Sequence, residues 1–131
     1  DYDKAIQADR EMPDDVAGVL CKVKVDTETW IGAGSQDYVY ALVNGRTIYS
    51  PMKIDKGINA ANFAGPDEVL ASGYMWAENK KQIAYKPMLV VGREGRGLVV
   101  GFTVDPSYRA YIDGLNLLLM NAVLRGPGFA R

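Results

Sequence analysis

The sequence predicts a mixed α/β domain, and three observations lead to that prediction. Two runs, PMLVVG at residues 87–92 and GLVVGFTV at residues 97–104, are apolar and rich in the β-branched side chains typical of strands. Shorter strand patterns occur at residues 18–25 and 37–43. Residues 105–127 instead repeat apolar side chains at helical spacing. With 131 residues and 48% hydrophobic content, the chain is long enough to bury one core.

The charges of the chain are balanced, with 15 basic and 16 acidic residues and a formal net charge of −1. This balance gives no electrostatic case for binding nucleic acid or an anionic membrane. No apolar run approaches the roughly 20 residues that span a bilayer. The polar start DYDKAIQADREMPDD is not a signal peptide. Because this start also lacks an initiator methionine, we expect the chain to be a piece of a longer protein or a processed product.

The sequence contains no histidine and one cysteine. Without histidine, Ser-His-Asp and Cys-His catalysis, histidine metal ligands and the usual general base near neutral pH are all excluded. One cysteine excludes an internal disulfide and a multi-cysteine zinc site. In GVLCKVKV, alternation predicts that Cys21 shares one strand face with Val19, Val23 and Val25. A nucleophile would need a sharp strand-to-helix elbow, so we expect a buried strand thiol instead.

The N-terminal half is expected to hold short elements separated by turns. Residues 1–11 favour a short helix that ends at Pro13. The dipeptide Asn44-Gly45 is a strong tight-turn signal, so residues 46–49 are predicted to pair back as a hairpin strand. TETWIGAGS, between the first two strands, indicates a loop or a single helical turn.

The following segments indicate one short strand near residues 60–63, a short strand or turn around residues 68–74, and one or two helical turns in WAENKKQ. The two apolar runs after them predict central strands covered on both sides, because both of their faces are apolar. GREGRG between the runs superficially resembles a phosphate-binding loop. A phosphate loop leads directly into a helix, whereas here a strand follows, so a hairpin turn is predicted.

The last element is predicted as a helix of roughly 20 residues over 105–127. Asp105 would be its N-cap, Pro106 its first residue, and Gly126 and Pro127 its end. Its buried stripe is predicted to contain Tyr108, Tyr111, Ile112, Leu115, Leu118, Leu119, Ala122 and Val123. A second apolar side is formed by Leu117, Met120 and Leu124. Such a helix is either deeply buried or covered by a partner.

Four polar residues of this segment are candidate domain-interface or structural anchors, namely Arg109, Asp113, Asn116 and Asn121. Arg109 and Asp113, four residues apart, would form a surface pair worth about 0.3–0.5 kcal/mol. Alternatively, Arg109 anchors the strand–helix junction or faces another domain. The two asparagines are expected to bond the backbone of neighbouring loops rather than a ligand.

Carboxylates and aromatic side chains supply the remaining candidates. The acidic residues at 14–15 and at 26 and 28 have the chemistry for acid/base work, but loop solvation or capping is the favoured interpretation. A carbohydrate- or peptide-binding groove is one use for the aromatic residues, and ordinary core and edge packing is the simpler one. The residues concerned are Trp30, Tyr38, Tyr40, Tyr74 and Trp76.

A family pattern is concentrated in the last 35 residues. It consists of Gly95-Arg96-Gly97, a strand at 99–102, Asp105-Pro106, Tyr108-Arg109-Ala110, Gly114-Leu115-Asn116 and Asn121-Ala122. A looser match continues upstream at residues 18–20, 23–27 and 71–74. The pattern is similar to the C-terminal end of bacterial zinc carboxypeptidase-like proteins. In those proteins a class I glutamine-amidotransferase-like domain follows a carboxypeptidase A-type catalytic domain.

The resemblance implies that residues 1–131 form one accessory domain at the C-terminal end of a longer protein. Residues 1–12 would be an N-terminal helix or linker. Residues 13–131 would form a mixed sheet with a C-terminal hairpin and flanking helices, resembling part of a flavodoxin-like, amidotransferase-like fold. The implied partner is the catalytic carboxypeptidase domain of the same polypeptide, in a periplasmic or secreted protein, and homo-oligomerisation stays open.

The resemblance does not extend to a catalytic apparatus. The zinc site of the parent family uses a His-x-x-Glu pair and a distant His, and the amidotransferase fold uses an elbow Cys with a His-Glu pair. A chain without histidine has neither. We therefore expect a non-catalytic accessory domain without a cofactor of its own, zinc being held only by the parent catalytic domain. A small-molecule or glycan-binding module built on the aromatic residues is the alternative, and a carboxylate-based hydrolase is a distant third.

Overall fold

A curled antiparallel sheet of six strands and two helices make up residues 13–130, the part of the chain described by the computed structural model. The strands are β1 (Val16–Val25), β2 (Tyr38–Gly45), β3 (Gly57–Phe63), β4 (Leu70–Ser72), β5 (Pro87–Glu94) and β6 (Gly97–Phe102). The helices are α1 (Ala77–Ile83) and α2 (Asp113–Phe129), and a 3₁₀ turn, Tyr108–Ala110, lies between β6 and α2. The mixed α/β class is confirmed. The helix predicted at residues 1–11 lies outside the described residues.

The strand order is β2-β1-β3-β5-β6, and β4 pairs with β1 beside β3. All pairings among the described strands are antiparallel. A flavodoxin-like sheet is mostly parallel, whereas the described sheet is antiparallel, so the predicted flavodoxin-like resemblance is not confirmed. The long strand β1 lies between β2 on one side and β3 and β4 on the other.

The core lies against one face of the sheet, the face to which every second side chain of β1 and β2 points. Val19, Cys21, Val23 and Val25 are buried, as predicted, and so are Val39, Ala41 and Val43 across the pair. Helix α2 packs against both outer strands, β2 and β6, and contributes Leu115 and Leu118 to the core. Helix α2 therefore covers the core from one outer strand of the sheet to the other.

Most of the shorter elements agree with the sequence patterns. The strand expected near residues 60–63 is the end of β3, and the strand expected around 68–74 is β4. WAENKKQ forms α1, and TETWIGAGS forms a series of turns. GREGRG is a hairpin turn between β5 and β6, in which Gly95 adopts a φ of 56°.

Two predictions about the sheet were wrong. Residues 46–49 are not a strand, because β2 finds its partner in the ten-residue β1, and Ile48 packs against the core instead. Strand β6 is an outer strand rather than a central one, and Val99 is 56% exposed. The sequence of β6 is apolar on both faces because one of these faces consists of one exposed valine and two glycines.

The bounds and the stripe of the last helix also differ from the prediction. Asp105 caps a turn, since its Oδ1 accepts the Ser107 N–H at 2.8 Å, and α2 begins only at Asp113. Pro127 lies inside the last turn of α2 rather than after the helix. The Ala130 N–H donates to the Gly126 carbonyl, so the helical bonding continues past the proline. Buried positions of α2 are Leu115, Leu118, Asn121 and Gly126, whereas Tyr108, Tyr111 and Val123 are exposed. The rest of the predicted stripe is borne out, since Leu115 and Leu118 are buried and Ile112 and Ala122 pack against the core. Tyr108 and Tyr111 do not join it because the helix begins only at Asp113.

Candidate functional site

An aromatic groove with a volume of about 780 Å³ lies between β2 and the segment that leads into α2. One side is formed by Tyr38, Tyr40 and Leu42. The other side is formed by Tyr108, Tyr111 and Leu117. Among the described residues that line this groove, Asp113 alone carries a charge. The groove is therefore an apolar surface with one carboxylate.

The wall of the groove depends on an unusual backbone path before α2. Arg109 and Ala110 have φ values of 48° and 52°, in the left-handed region that non-glycine residues rarely adopt. Two such residues in succession break the helical path, so Tyr108 and Tyr111 line the groove instead of the core. At the start of α2, Gly114 lies so close to Val39 that an added Cβ would be 3.0 Å from its Cγ1. Glycine at position 114 thus brings the helix against β2.

The backbone of β2 has one open edge in this groove. The Val25 N–H donates to the Asp37 carbonyl at 2.8 Å, and the Lys22 N–H donates away from β2 to the Val69 carbonyl at 2.7 Å. In antiparallel pairing these directions alternate. The backbone groups of Tyr38, Tyr40 and Leu42 therefore point away from β1. Within residues 13–130, no strand pairs with that edge.

A second, polar cleft of about 1220 Å³ lies on the other side of Tyr38. Its carboxylates come from Asp26, Asp37, Asp67 and Glu68, its amides from Asn59 and Asn62, and its rings from Tyr38, Phe63 and Tyr85. The Lys22 ammonium lies 4.0 Å from the centre of the Tyr38 ring and 3.7 Å from a Glu68 carboxylate oxygen. No group of three or more potential ligands in the described part of the chain is suited to hold a metal ion.

The four predicted anchors lie at different places along the 3₁₀ turn and helix α2. Arg109 is exposed before α2, with its guanidinium carbon 5.7 Å from the centre of the Tyr108 ring, and Asp113 is the first residue of the helix. No ion pair joins the two among the described residues, because Arg109 lies outside the helix. Asn116 is half-buried. Asn121 is buried and donates to the carbonyls of Ile31 and Ala33, as expected of a residue that bonds a loop.

The predicted binding aromatics do not form one site. Trp30 is half-buried and stacks on Phe129, with ring centres 4.8 Å apart. Tyr74 and Trp76 are exposed and meet edge to face at 5.2 Å, away from both the groove and the cleft. Sequence reasoning missed the contribution of Tyr108 and Tyr111 because it assigned both to a buried helical stripe. The signal that could have placed them is the Asp-Pro pair before them, which belongs to a turn.

The remaining candidate groups have structural roles. Cys21 is buried, and burial raises the pKa of its thiol to about 12, which disfavours the reactive thiolate. Asp26 caps a turn, because its Oδ1 accepts the Glu28 N–H at 3.1 Å and its carbonyl accepts the Thr29 hydroxyl at 2.7 Å. The expected strand thiol and turn cap are both confirmed.

Comparisons with protein-family models, with curated proteins and with solved structures found no match to this chain. None of the helices described over residues 13–130 has the length and apolar character needed to cross a membrane.

Proposed function

We propose that this chain is a non-catalytic accessory domain that docks against, and positions or stabilises, the catalytic domain of a periplasmic or secreted zinc carboxypeptidase. In this proposal the chain resembles part of a class I amidotransferase-like, flavodoxin-like domain. Zinc belongs to the catalytic domain alone, and the partner is that domain of the same polypeptide. The observation that carries the proposal is an apolar side of α2 that the described core leaves exposed.

This side of α2 contains large aliphatic side chains that the core does not use. Leu117, Met120, Val123 and Leu124 are 40%, 51%, 62% and 70% exposed. They lie at spacings of three and four residues, which places them along one side of the helix. No charged residue occurs between Asp113 and Arg125. A contiguous apolar surface of this kind is typical of a protein interface.

The chemistry of the side chains supports a role without catalysis. Histidine is missing from the sequence, and the pKa of the Cys21 thiol is raised by its burial in the middle of β1. A nucleophile needs an accessible position and a base that activates it. Neither the aromatic groove nor the polar cleft contains Cys21. The surface features of the chain are therefore better suited to contact than to covalent chemistry.

The test begins with the coding region upstream of Asp1. A catalytic domain with a His-x-x-Glu pair is expected there, and it can be produced separately and titrated with the chain by calorimetry. Val123→Glu should weaken this binding strongly, because a charge would be buried in an apolar contact. The matched control is Val99→Glu, which makes the same change at a valine of comparable exposure on β6.

Any of three outcomes contradicts the proposal. One is hydrolysis of a C-terminal peptide substrate by the isolated chain in the presence of Zn²⁺. The second is an upstream region without a peptidase domain. The third is a peptidase domain that binds Val123→Glu as tightly as it binds the unmodified chain.

A small-molecule or glycan-binding module is the second candidate function, and the polar cleft favours it. Carboxylates and amides there provide hydrogen-bonding groups for hydroxyls, and the Tyr38 and Tyr85 rings provide flat apolar surface. Titration with neutral oligosaccharides, followed by NMR, should then shift the amide signals of residues 59–68. Tyr85→Ala should abolish the shifts. Unchanged spectra at millimolar sugar would exclude this function for the cleft.

A further inference from the structure

We infer that the aromatic groove binds an extended segment of another polypeptide, which pairs with the open edge of β2 as an added strand. This inference goes beyond the accessory role proposed above, because it concerns a neighbouring surface, which shares Leu117 with the apolar side of α2, and does not require the partner to be a peptidase. It is carried by the direction of the β2 backbone groups together with the shape and chemistry of the groove.

The backbone of β2 provides the pairing surface. Tyr38, Tyr40 and Leu42 alternate with residues whose backbone groups face β1, so their own N–H and C=O groups point into the groove. These groups repeat every second residue, a distance of about 7 Å. An extended peptide repeats its own donors and acceptors at the same distance. From Tyr38 to Leu42 the edge extends about 13 Å, which matches four or five added residues.

The side chains around this edge select the character of the added segment. Tyr40 is 48% exposed and Tyr111 is 85% exposed, and both line the groove with Leu42 and Leu117. Because side chains of a strand alternate between its two faces, apolar residues at every second position of the segment would lie together on one face, where an apolar lining can bury them. The Asp113 carboxylate at the start of α2 complements a lysine or arginine that flanks the apolar positions.

Within residues 13–130, the edge also lacks the features that keep sheet edges from pairing. Soluble proteins usually protect an outer strand with lysine, proline, a bulge or a covering segment. The sequence YVYALV of residues 38–43 contains no charged residue and no proline. The register irregularity of the β1–β2 pair lies at its far end, between Val16 and Val19. An unprotected edge inside an apolar groove is the geometry that strand-adding domains use to bind peptides.

The experiment uses the full chain, labelled with ¹⁵N, and the peptide acetyl-Lys-Val-Thr-Val-Ser-Val-Lys-amide as probe. Saturable shifts are expected for the amides of residues 38–42 and 108–114. Tyr111→Ala should weaken binding about three- to tenfold, since one aromatic contact is lost at a side chain too exposed to support the fold. Asp113→Asn should weaken binding of this peptide, and should not change binding of the same peptide with glutamine in place of both lysines.

The strand pairing itself is tested at position 40. Tyr40→Pro removes one outward N–H and none of the bonds to β1, so it should abolish binding, whereas Tyr40→Phe should bind like the unmodified chain. A thermal melt shows whether the proline variant is folded. If the proline variant is unfolded, two modified peptides are tested on the unmodified chain instead. One peptide is N-methylated at its three valines and the other at its threonine and serine. At least one of the two must fail to bind.

Several outcomes overturn the inference. They are the absence of saturable shifts at millimolar peptide, shifts confined to the polar cleft, and equal binding by both N-methylated peptides and the unmodified one. Binding that appears only after deletion of residues 1–12 would assign the edge to the chain's own N-terminal segment. If the amide signals of β2 were lost as the chain dimerised, the edge would be assigned to a second copy of the chain. Each of these results leaves the Val123 test of the accessory role unaffected.

Discussion

The side-chain amide of Asn121 donates to the Ile31 carbonyl at 2.9 Å, across 90 positions of sequence. It also donates to the Ala33 carbonyl at 3.0 Å. Asn121 is 8% exposed and Ile31 is fully buried. One asparagine in the middle of α2 therefore satisfies two carbonyls of the loop between β1 and β2, and this contact fixes the loop against the helix.

Asn121→Ala should lower the free energy of unfolding by about 1–3 kcal/mol, because two carbonyls would lose their donor in a site with little access to water. Urea denaturation followed by circular dichroism measures the change. Asn116→Ala, on the same helix but half-buried, should change the free energy by about 0.5 kcal/mol or less. Equal losses for the two variants would contradict the role assigned to Asn121.

The same loop depends on a glycine at position 32. A Cβ there would lie 2.1 Å from the Asp26 carbonyl oxygen, which is a backbone atom and cannot move alone. Gly32→Ala should therefore destabilise the protein by about 3 kcal/mol. Gly128→Ala is the control, because a Cβ at that helical position meets no atom within 4 Å and should stabilise the protein by up to about 1 kcal/mol. Two variants of equal stability would show that the loop does not take the path described.

Burial of Cys21 makes stability depend on pH in the alkaline range. The pKa of its thiol is raised from 9.0 to about 12 in the folded protein, so the unfolded chain releases this proton first. The resulting contribution to stability is complete below pH 9 and is lost as the pH rises towards 12. Other groups contribute equally to both proteins, so the effect is read from the difference between the unmodified protein and Cys21→Ala. Between pH 9 and 10.5 the unmodified protein should lose up to about 1 kcal/mol per pH unit more than the variant. Parallel pH profiles would contradict this account.

Alternation made much of the sheet predictable from the sequence. The valines around Cys21 specify one buried face of β1, and the two apolar runs around GREGRG specify the hairpin of β5 and β6. These signals are local, because each depends on neighbouring residues of a single strand or hairpin. The pairing of β2 with β1 instead of residues 46–49 depends on contacts between distant segments, which Asn44-Gly45 could not indicate.

The candidate site was less predictable because a backbone irregularity creates it. The left-handed conformations of Arg109 and Ala110 separate Tyr108 and Tyr111 from α2, although both tyrosines fit a helical stripe in the sequence. Periodicity cannot reveal such a break when the residues involved are not glycines. Asn121 was placed correctly, because a polar residue within a long apolar run is best satisfied by loop backbone.

The stack of Trp30 on Phe129 connects the loop to the far end of α2. The Arg125 guanidinium supports the contact by donating to the Trp30 carbonyl at 3.1 Å. Phe129→Ala should destabilise the protein by about 1 kcal/mol and expose Trp30 to water. In a Trp76→Phe background, Trp30 is the remaining tryptophan, so the change should shift the fluorescence emission to longer wavelength. Phe129→Tyr keeps a ring that can stack and should leave the emission unchanged. If alanine and tyrosine at this position gave the same spectrum, Phe129 would not be the residue that shields Trp30.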